Sequence, residues 1–113
     1  MKHLTFKIEF SVMYHDGFTE SLQDTKSRVI MATDNDQARR VAEAMRGEEV
    51  DACEYLHAVL KIEPTTEDPT GGNPWDPPHT WKRLVHYLKL SPNERAEPIL
   101  YNGKQVGIEI VSK

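Results

Sequence analysis

Hydrophobic and polar residues alternate along the first strand-like segment of the chain. From Leu4 to Tyr14 every second position carries a large hydrophobic side chain, with mostly polar residues between them. A period of two is typical of a β-strand with one buried face. The turn residues His15-Asp16-Gly17 follow, and the alternation resumes only over Ser27 to Ala32. This pattern predicts a β-hairpin with a long polar loop.

Two later segments place hydrophobic residues at helical spacing. Each predicts an amphipathic helix with one buried stripe. Thr33 is expected to supply the capping hydroxyl of the first helix (34–46), and Gly47 to end it. Thr80 is expected to cap the second helix (80–90). The two stripes consist of Ala38, Val41, Ala42 and Met45, and of Trp81, Leu84, Val85 and Leu88.

The segment from residue 48 to 63 fits both a helix and a strand. Alternation, the β-branched residues Val59 and Ile62, and Pro64 directly after the segment favour a strand from Tyr55 to Glu63. The helix stays open as the alternative. A strand here would complete a β-β-α-β unit that the first helix can cover.

The C-terminal part predicts a second hairpin. Asn102-Gly103 separates two alternating runs, which is a strong hairpin signal. Before it, the capping pattern of Ser91 to Glu94 predicts a short helical turn through Ala96, which Pro98 ends. The predicted fold is α+β, an antiparallel sheet with two amphipathic helices on one face, in the order β-β-α-β-loop-α-β-β.

One domain over residues 1–113 is expected from the length of the chain. Residues 64–79 form a long loop in this prediction, because their prolines and glycines interrupt both helices and paired strands. A hydrophobic content of 38% with 28% charged residues is ordinary for a globular protein and argues against global disorder.

The charge pattern disfavours nucleic acid as a partner. The formal net charge is −4, and no block of five basic residues occurs. The excess of acidic residues fits either a surface that imitates nucleic acid or an ordinary charge that keeps the protein soluble. The ordinary solubility charge is the preferred interpretation. No segment is apolar enough to be a signal peptide or a membrane span, so no membrane association is expected.

No catalytic or metal-binding signature is present in the sequence. Cys53 is the single cysteine, so no intrachain disulfide can form, and this fits a reducing cytoplasm. The residue is interpreted as a small buried side chain. Cys53 and His57 could touch on a helix but not on a strand. His79 and His86 lie two helical turns, or about 10 Å, apart, which is too far to share a metal ion. The sequence predicts no cofactor and no metal.

The candidate binding site is the proline-flanked aromatic loop before the second helix. Trp75 lies between prolines, and rigid loop tryptophans are frequent anchors of protein interfaces, although such a residue can also cover the core. The predicted binding residues are Trp75, Asp76, His79, Trp81 and Arg83.

Three functions follow as hypotheses. The first is a small non-catalytic protein-binding or regulatory domain that acts through the Trp75 loop, in character like the accessory proteins with which phages and mobile elements redirect host machinery. The second is a small enzyme or ligand-binding domain with a pocket between the sheet and the 64–79 loop, using Tyr14, His57, His79 or Trp75. The third is a structural protein that forms a homodimer through a sheet edge, such as the hairpin from Tyr101 to Val111.

Overall fold

A computed structural model of the chain shows a six-stranded sheet with two helices, and the predicted α+β class is confirmed. The structure describes residues 3–69 and 78–113, and of Gln23 and residues 78–81 only the backbone. The sheet is curled into a half-barrel. The elements in chain order are β1 (Leu4–His15), β2 (Glu20–Ala32), α1 (Asn35–Met45), β3 (Glu49–Asp51), β4 (Glu54–Pro64), α2 (Pro78–Leu88), β5 (Glu94–Tyr101) and β6 (Lys104–Ser112).

The strands lie side by side in the order β3-β4-β1-β2-β6-β5. Neighbouring strands are antiparallel except β2 and β6, which are parallel and pair only where Met31 lies opposite Gly107. A Cβ atom at position 107 would overlap the carbonyl oxygen of Met31, so the close approach requires glycine. The prediction of a wholly antiparallel sheet is therefore wrong at this junction, and the predicted order lacks β3.

Residues from both predicted hydrophobic stripes share one core. Val41 of α1 and Leu84 of α2 are almost fully buried, and they belong to one cluster with side chains from the sheet. Burial of apolar area of this kind is the main favourable contribution to folding. The cluster consists of Ile8, Phe10, Ile30, Val41, Ala42, Ala44, Met45, Leu56, Leu84, Leu88, Ile108 and Ile110.

The helix starts differ from the predicted ones. The N-cap of α1 is Asp34, whose carboxylate accepts a hydrogen bond from the backbone N–H of Gln37 at 2.9 Å. The Thr33 hydroxyl is buried and has no partner among the residues described. Helix α2 begins at Pro78, so Thr80 lies inside the helix and is not its cap. Gly47, with φ +88°, follows the end of α1 as predicted.

Two strands occupy segments for which the sequence predicted something else. β2 begins at Glu20, so the long polar loop predicted before Ser27 is mostly strand. β5 begins at Glu94, and the predicted helical turn through Ala96 is wrong. Ser91 and Glu94 do form one turn, through hydrogen bonds of 3.0 and 3.1 Å, but pairing of β5 with β6 then takes over. The strand predicted over Tyr55 to Glu63 is confirmed as β4.

Side chains of α1 hold the β5–β6 hairpin against the rest of the molecule. The Gln37 side-chain amide donates to the carbonyl of Ile110 at 2.9 Å and accepts from its N–H at 3.0 Å. Arg40 forms two hydrogen bonds with the carboxylate of Glu94, at 2.9 and 3.1 Å. Together with a hydrogen bond from the N–H of Ser91, the Arg40 guanidinium lowers the pKa of Glu94 to about 2.

Candidate interaction surface at the end of the first hairpin

The structure describes only some of the binding residues that the sequence predicts. Trp75 and Asp76 lie outside the described residues. His79 and Trp81 lie in the first turns of α2, and their side chains are outside the described part of the chain. The proposed role of the 73–81 loop therefore stays a prediction.

Arg83 is engaged within the molecule. Its Nη2 donates to the backbone carbonyl of Arg46 at 3.0 Å, and its guanidinium lies 5.1 Å from the centroid of the Tyr87 ring. A Cβ atom on Gly47 would lie 2.7 Å from the same Nη2. Arg83 thus joins α2 to the carboxyl end of α1, and this structural contact accounts for its position.

The residues weighed for catalysis do not form a reactive group. Cys53 is exposed in the turn between β3 and β4, so its interpretation as a buried thiol is wrong. His57 lies on β4, half-buried, with its ring edge-on to Tyr55 at 6.4 Å. Within the ranges 3–69 and 78–113, no group of three or more potential metal ligands occurs.

The turn between β1 and β2 is held in one conformation by its own hydrogen bonds. The Asp16 carboxylate accepts from the N–H groups of Phe18 and Thr19, each at 2.9 Å. The hydrogen bond from the Thr19 N–H has the largest effect, and together with the bond from Phe18 it lowers the pKa of the Asp16 carboxyl. Gly17 has φ +96°, a conformation that glycine adopts without strain. A short Asx turn of this kind fixes the backbone that carries Phe18.

Phe18 is 95% exposed, more than any other large hydrophobic residue that the structure describes. Two strand residues behind it, Met13 and Leu22, are direct cross-strand partners, and Met13 also pairs with Tyr55 of β4. The preceding residue of β1, Val12, is buried in the interior, so this row lies on the opposite face of the sheet. Leu22 is 66% exposed. We name Met13, Phe18, Leu22 and Tyr55 the hairpin-end surface.

Polar groups form a rim beside the hairpin-end surface. The Tyr55 hydroxyl lies 3.3 Å from the Glu20 carboxylate, across β1. Partial burial of the Tyr55 ring, followed by the Glu20 charge, raises the pKa of the Tyr55 hydroxyl. The phenol is therefore neutral at physiological pH and can donate a hydrogen bond. An apolar centre with a polar rim is the arrangement typical of protein interfaces.

The inner face of the same end of the sheet carries a cavity of about 180 Å³. Its wall includes Asp24, Lys26, Asp51 and Glu54 around the apolar floor of Val12. Arg28, two residues after Lys26 on β2, is largely buried, and its Nη2 lies 3.0 Å from the Glu48 carboxylate. The cavity differs from the one that the sequence predicted between the sheet and the 64–79 loop, whose residues lie partly outside the described ranges.

Unpaired strand edges are protected against pairing with another chain. The described sheet ends in β3 on one side and β5 on the other. At the second edge lies β5, not the β6 strand of the predicted 101–111 hairpin, and it contains Pro98, which has no N–H to donate. Along the distal half of β2, a bulge interrupts the pairing with β1, and Asp24 binds the N–H of Thr25 at 2.8 Å. Charges, bulges and proline at edges counteract edge-to-edge association. A homodimer through an edge stays a prediction that these features do not favour.

The sequence contains one signal for this surface, which lies outside the alternating segments. Phe18 follows Gly17 in a turn, where a large apolar side chain has no core to face. The interpretation of residues 15–26 as a polar loop left Phe18 and Leu22 without a role. Their placement on the end of two long paired strands became visible only with the strand register.

Comparisons with family models, curated proteins and solved structures gave no match. No helix among the described residues is both long and apolar enough to cross a membrane.

Proposed function

We propose that the chain is a non-catalytic protein-binding domain that docks on a protein partner through the hairpin-end surface. The observation that carries the proposal is Phe18, fully projecting yet held by the Asp16 turn. An aromatic side chain has few rotatable bonds, so on a fixed backbone it loses little conformational entropy on binding while it buries a large area. Such residues are frequent energetic centres of interfaces.

The rest of the molecule serves in this proposal as the support of the surface. We place both helices on the inner face of the half-barrel, because Leu84 and Leu88 share a buried cluster with Ile8 and Phe10. The outer face then stays open over the row formed by Leu22, Met13 and Tyr55. The function is regulatory, since a domain of this kind acts by occupying a surface of its partner, as small accessory proteins of phages and mobile elements do.

Position-specific crosslinking tests the proposal. The photoreactive residue p-benzoylphenylalanine replaces Phe18 in one purified chain and Leu100 in a control chain, and both are irradiated in a lysate of the cells that naturally produce the protein. Leu100 is the matched control because it is 64% exposed near the turn of the other hairpin. We expect one discrete crosslinked protein from position 18 and none from position 100.

Competition then shows whether the contact is specific. Unlabelled wild-type chain is expected to abolish the crosslink, and a Phe18→Ala chain to need about thirtyfold more, which corresponds to about 2 kcal/mol of binding free energy. Equal competition by the two chains, or equal crosslinking from both positions, would refute the proposal. A third reporter at Trp75 covers the loop predicted from the sequence. Crosslinks from Trp75 without any from position 18 would move the function to that loop.

A further inference from the structure

The end of the sheet that carries the hairpin-end surface also concentrates negative charge. Residues 14–26 and 49–55 hold six carboxylates against the single ammonium group of Lys26. These two segments are thus more negative than the whole chain, whose formal charge is −4. They are adjacent in space, because Tyr14 pairs with Ser21 and with Glu54. The six carboxylates are those of Asp16, Glu20, Asp24, Glu49, Asp51 and Glu54.

Within the described residues, these carboxylates differ from many others by having no lysine or arginine partner. Glu43, Glu48 and Glu94 each lie within 3.1 Å of an arginine nitrogen, and further glutamates are paired with lysine, arginine or histidine. Over the described part of the chain, none of the six lies within 4 Å of a lysine or arginine nitrogen. Their charge is available to an external group.

We propose that the hairpin-end surface binds a basic protein surface, with Phe18 in an apolar pocket and lysine or arginine side chains around it. The inference rests on the proposed function and names the chemistry of the partner. An apolar contact centred on Phe18 brings Asp16 and Glu20 to the rim of the interface. Carboxylates at such a rim favour a partner of opposite charge and repel one of like charge.

The same charge argues against the other large partners. Nucleic acids carry a phosphate charge at every nucleotide, and cytoplasmic membrane surfaces carry anionic lipids. Six unneutralised carboxylates would repel both. A protein surface rich in lysine and arginine fits the charge and can also supply the apolar pocket that Phe18 requires.

Charge-neutral variants test the proposal in the crosslinking assay from position 18. A double variant, Asp16→Asn and Glu20→Gln, removes the two charges at the rim around Phe18 and keeps the side-chain oxygens that accept their present hydrogen bonds. A matched control, Asp36→Asn and Asp68→Asn, removes two carboxylate charges that also lack an ion pair within the described ranges. Both are used as unlabelled competitors.

At 50 mM NaCl we expect the hairpin-end variant to compete about tenfold more weakly than wild type, and the control variant within about twofold of it. At 500 mM NaCl the difference between the two variants should shrink to about twofold. Heparin, a polyanion, should displace the chain from its partner at low salt. A crosslink that persists with equal competition by both variants and no response to heparin overturns the basic partner and leaves the proposed function intact. Loss of any crosslink from position 18 overturns both.

Discussion

One side-chain amide supports the attachment of β6 to the rest of the fold. β2 and β6 pair at a single position, and beyond it Gln37 takes the place of a neighbouring strand by bonding both the N–H and the carbonyl of Ile110. A Gln37→Met variant keeps the length and helix propensity of the side chain but removes both hydrogen bonds. It leaves two largely buried backbone groups without a partner.

The expected loss follows from the two bonds. Each contributes about 0.5 to 1.5 kcal/mol net, so the free energy of unfolding should fall by about 2 kcal/mol. For a chain of this length, that loss lowers the melting temperature by about 8 °C. Urea unfolding followed by circular dichroism measures the change, and amide hydrogen exchange at Ile110 should accelerate.

Arg39→Met is the matched control, since Arg39 is exposed on the same helix. Its free energy of unfolding should stay within about 0.5 kcal/mol of wild type. If Gln37→Met unfolds at the same urea concentration as the control, the amide does not hold β6, and the attachment of the second hairpin has been misjudged.

Three further changes test the fold. Gly107→Ala would push a Cβ atom into the Met31 carbonyl, and we expect the free energy of unfolding in urea to fall by about 3 kcal/mol. A urea midpoint equal to that of wild type would contradict this expectation. Leu84→Ala should cost about 3 kcal/mol by leaving a cavity, and a loss below 1 kcal/mol would disprove the shared core. The pKa of Glu94 is depressed from 4.5 to about 2, so its ion pair with Arg40 stabilises the fold above pH 4.5 and is lost as the pH falls to 2. Glu94→Gln should therefore show a smaller decline in the free energy of unfolding between pH 5 and pH 2, and equal slopes would refute the role of the pair.

Where burial dictated the residue pattern, the sequence was sufficient to predict the element. β1 alternates because one face meets the core, and the helical stripes through Val41 and Leu84 are buried for the same reason. Asn102-Gly103 adopts positive φ at both residues, as its hairpin turn requires. Each of these signals is local and is reinforced by the same core.

Where tertiary pairing overrode local preference, prediction failed. Apart from Leu22, the residues of β2 from Glu20 to Ser27 are polar and show no alternation, and they form a strand because β1 offers a pairing partner. Ser91 and Glu94 make the local hydrogen bonds expected of a helix start, but Arg40 and β6 hold the following residues extended. The parallel contact of β2 with β6 depends on an approach at Gly107 that no sequence period reports.

The candidate surface escaped prediction for a related physical reason. Side chains that form the core repeat with the period of their element, whereas Phe18 and Leu22 serve no core and leave no such repeat. Folding alone does not require either residue to be hydrophobic, since a polar side chain at a 95% exposed position would avoid contact between phenylalanine and water. The protein contact that we propose would remove this aromatic side chain from water and would explain its place on a turn fixed by Asp16.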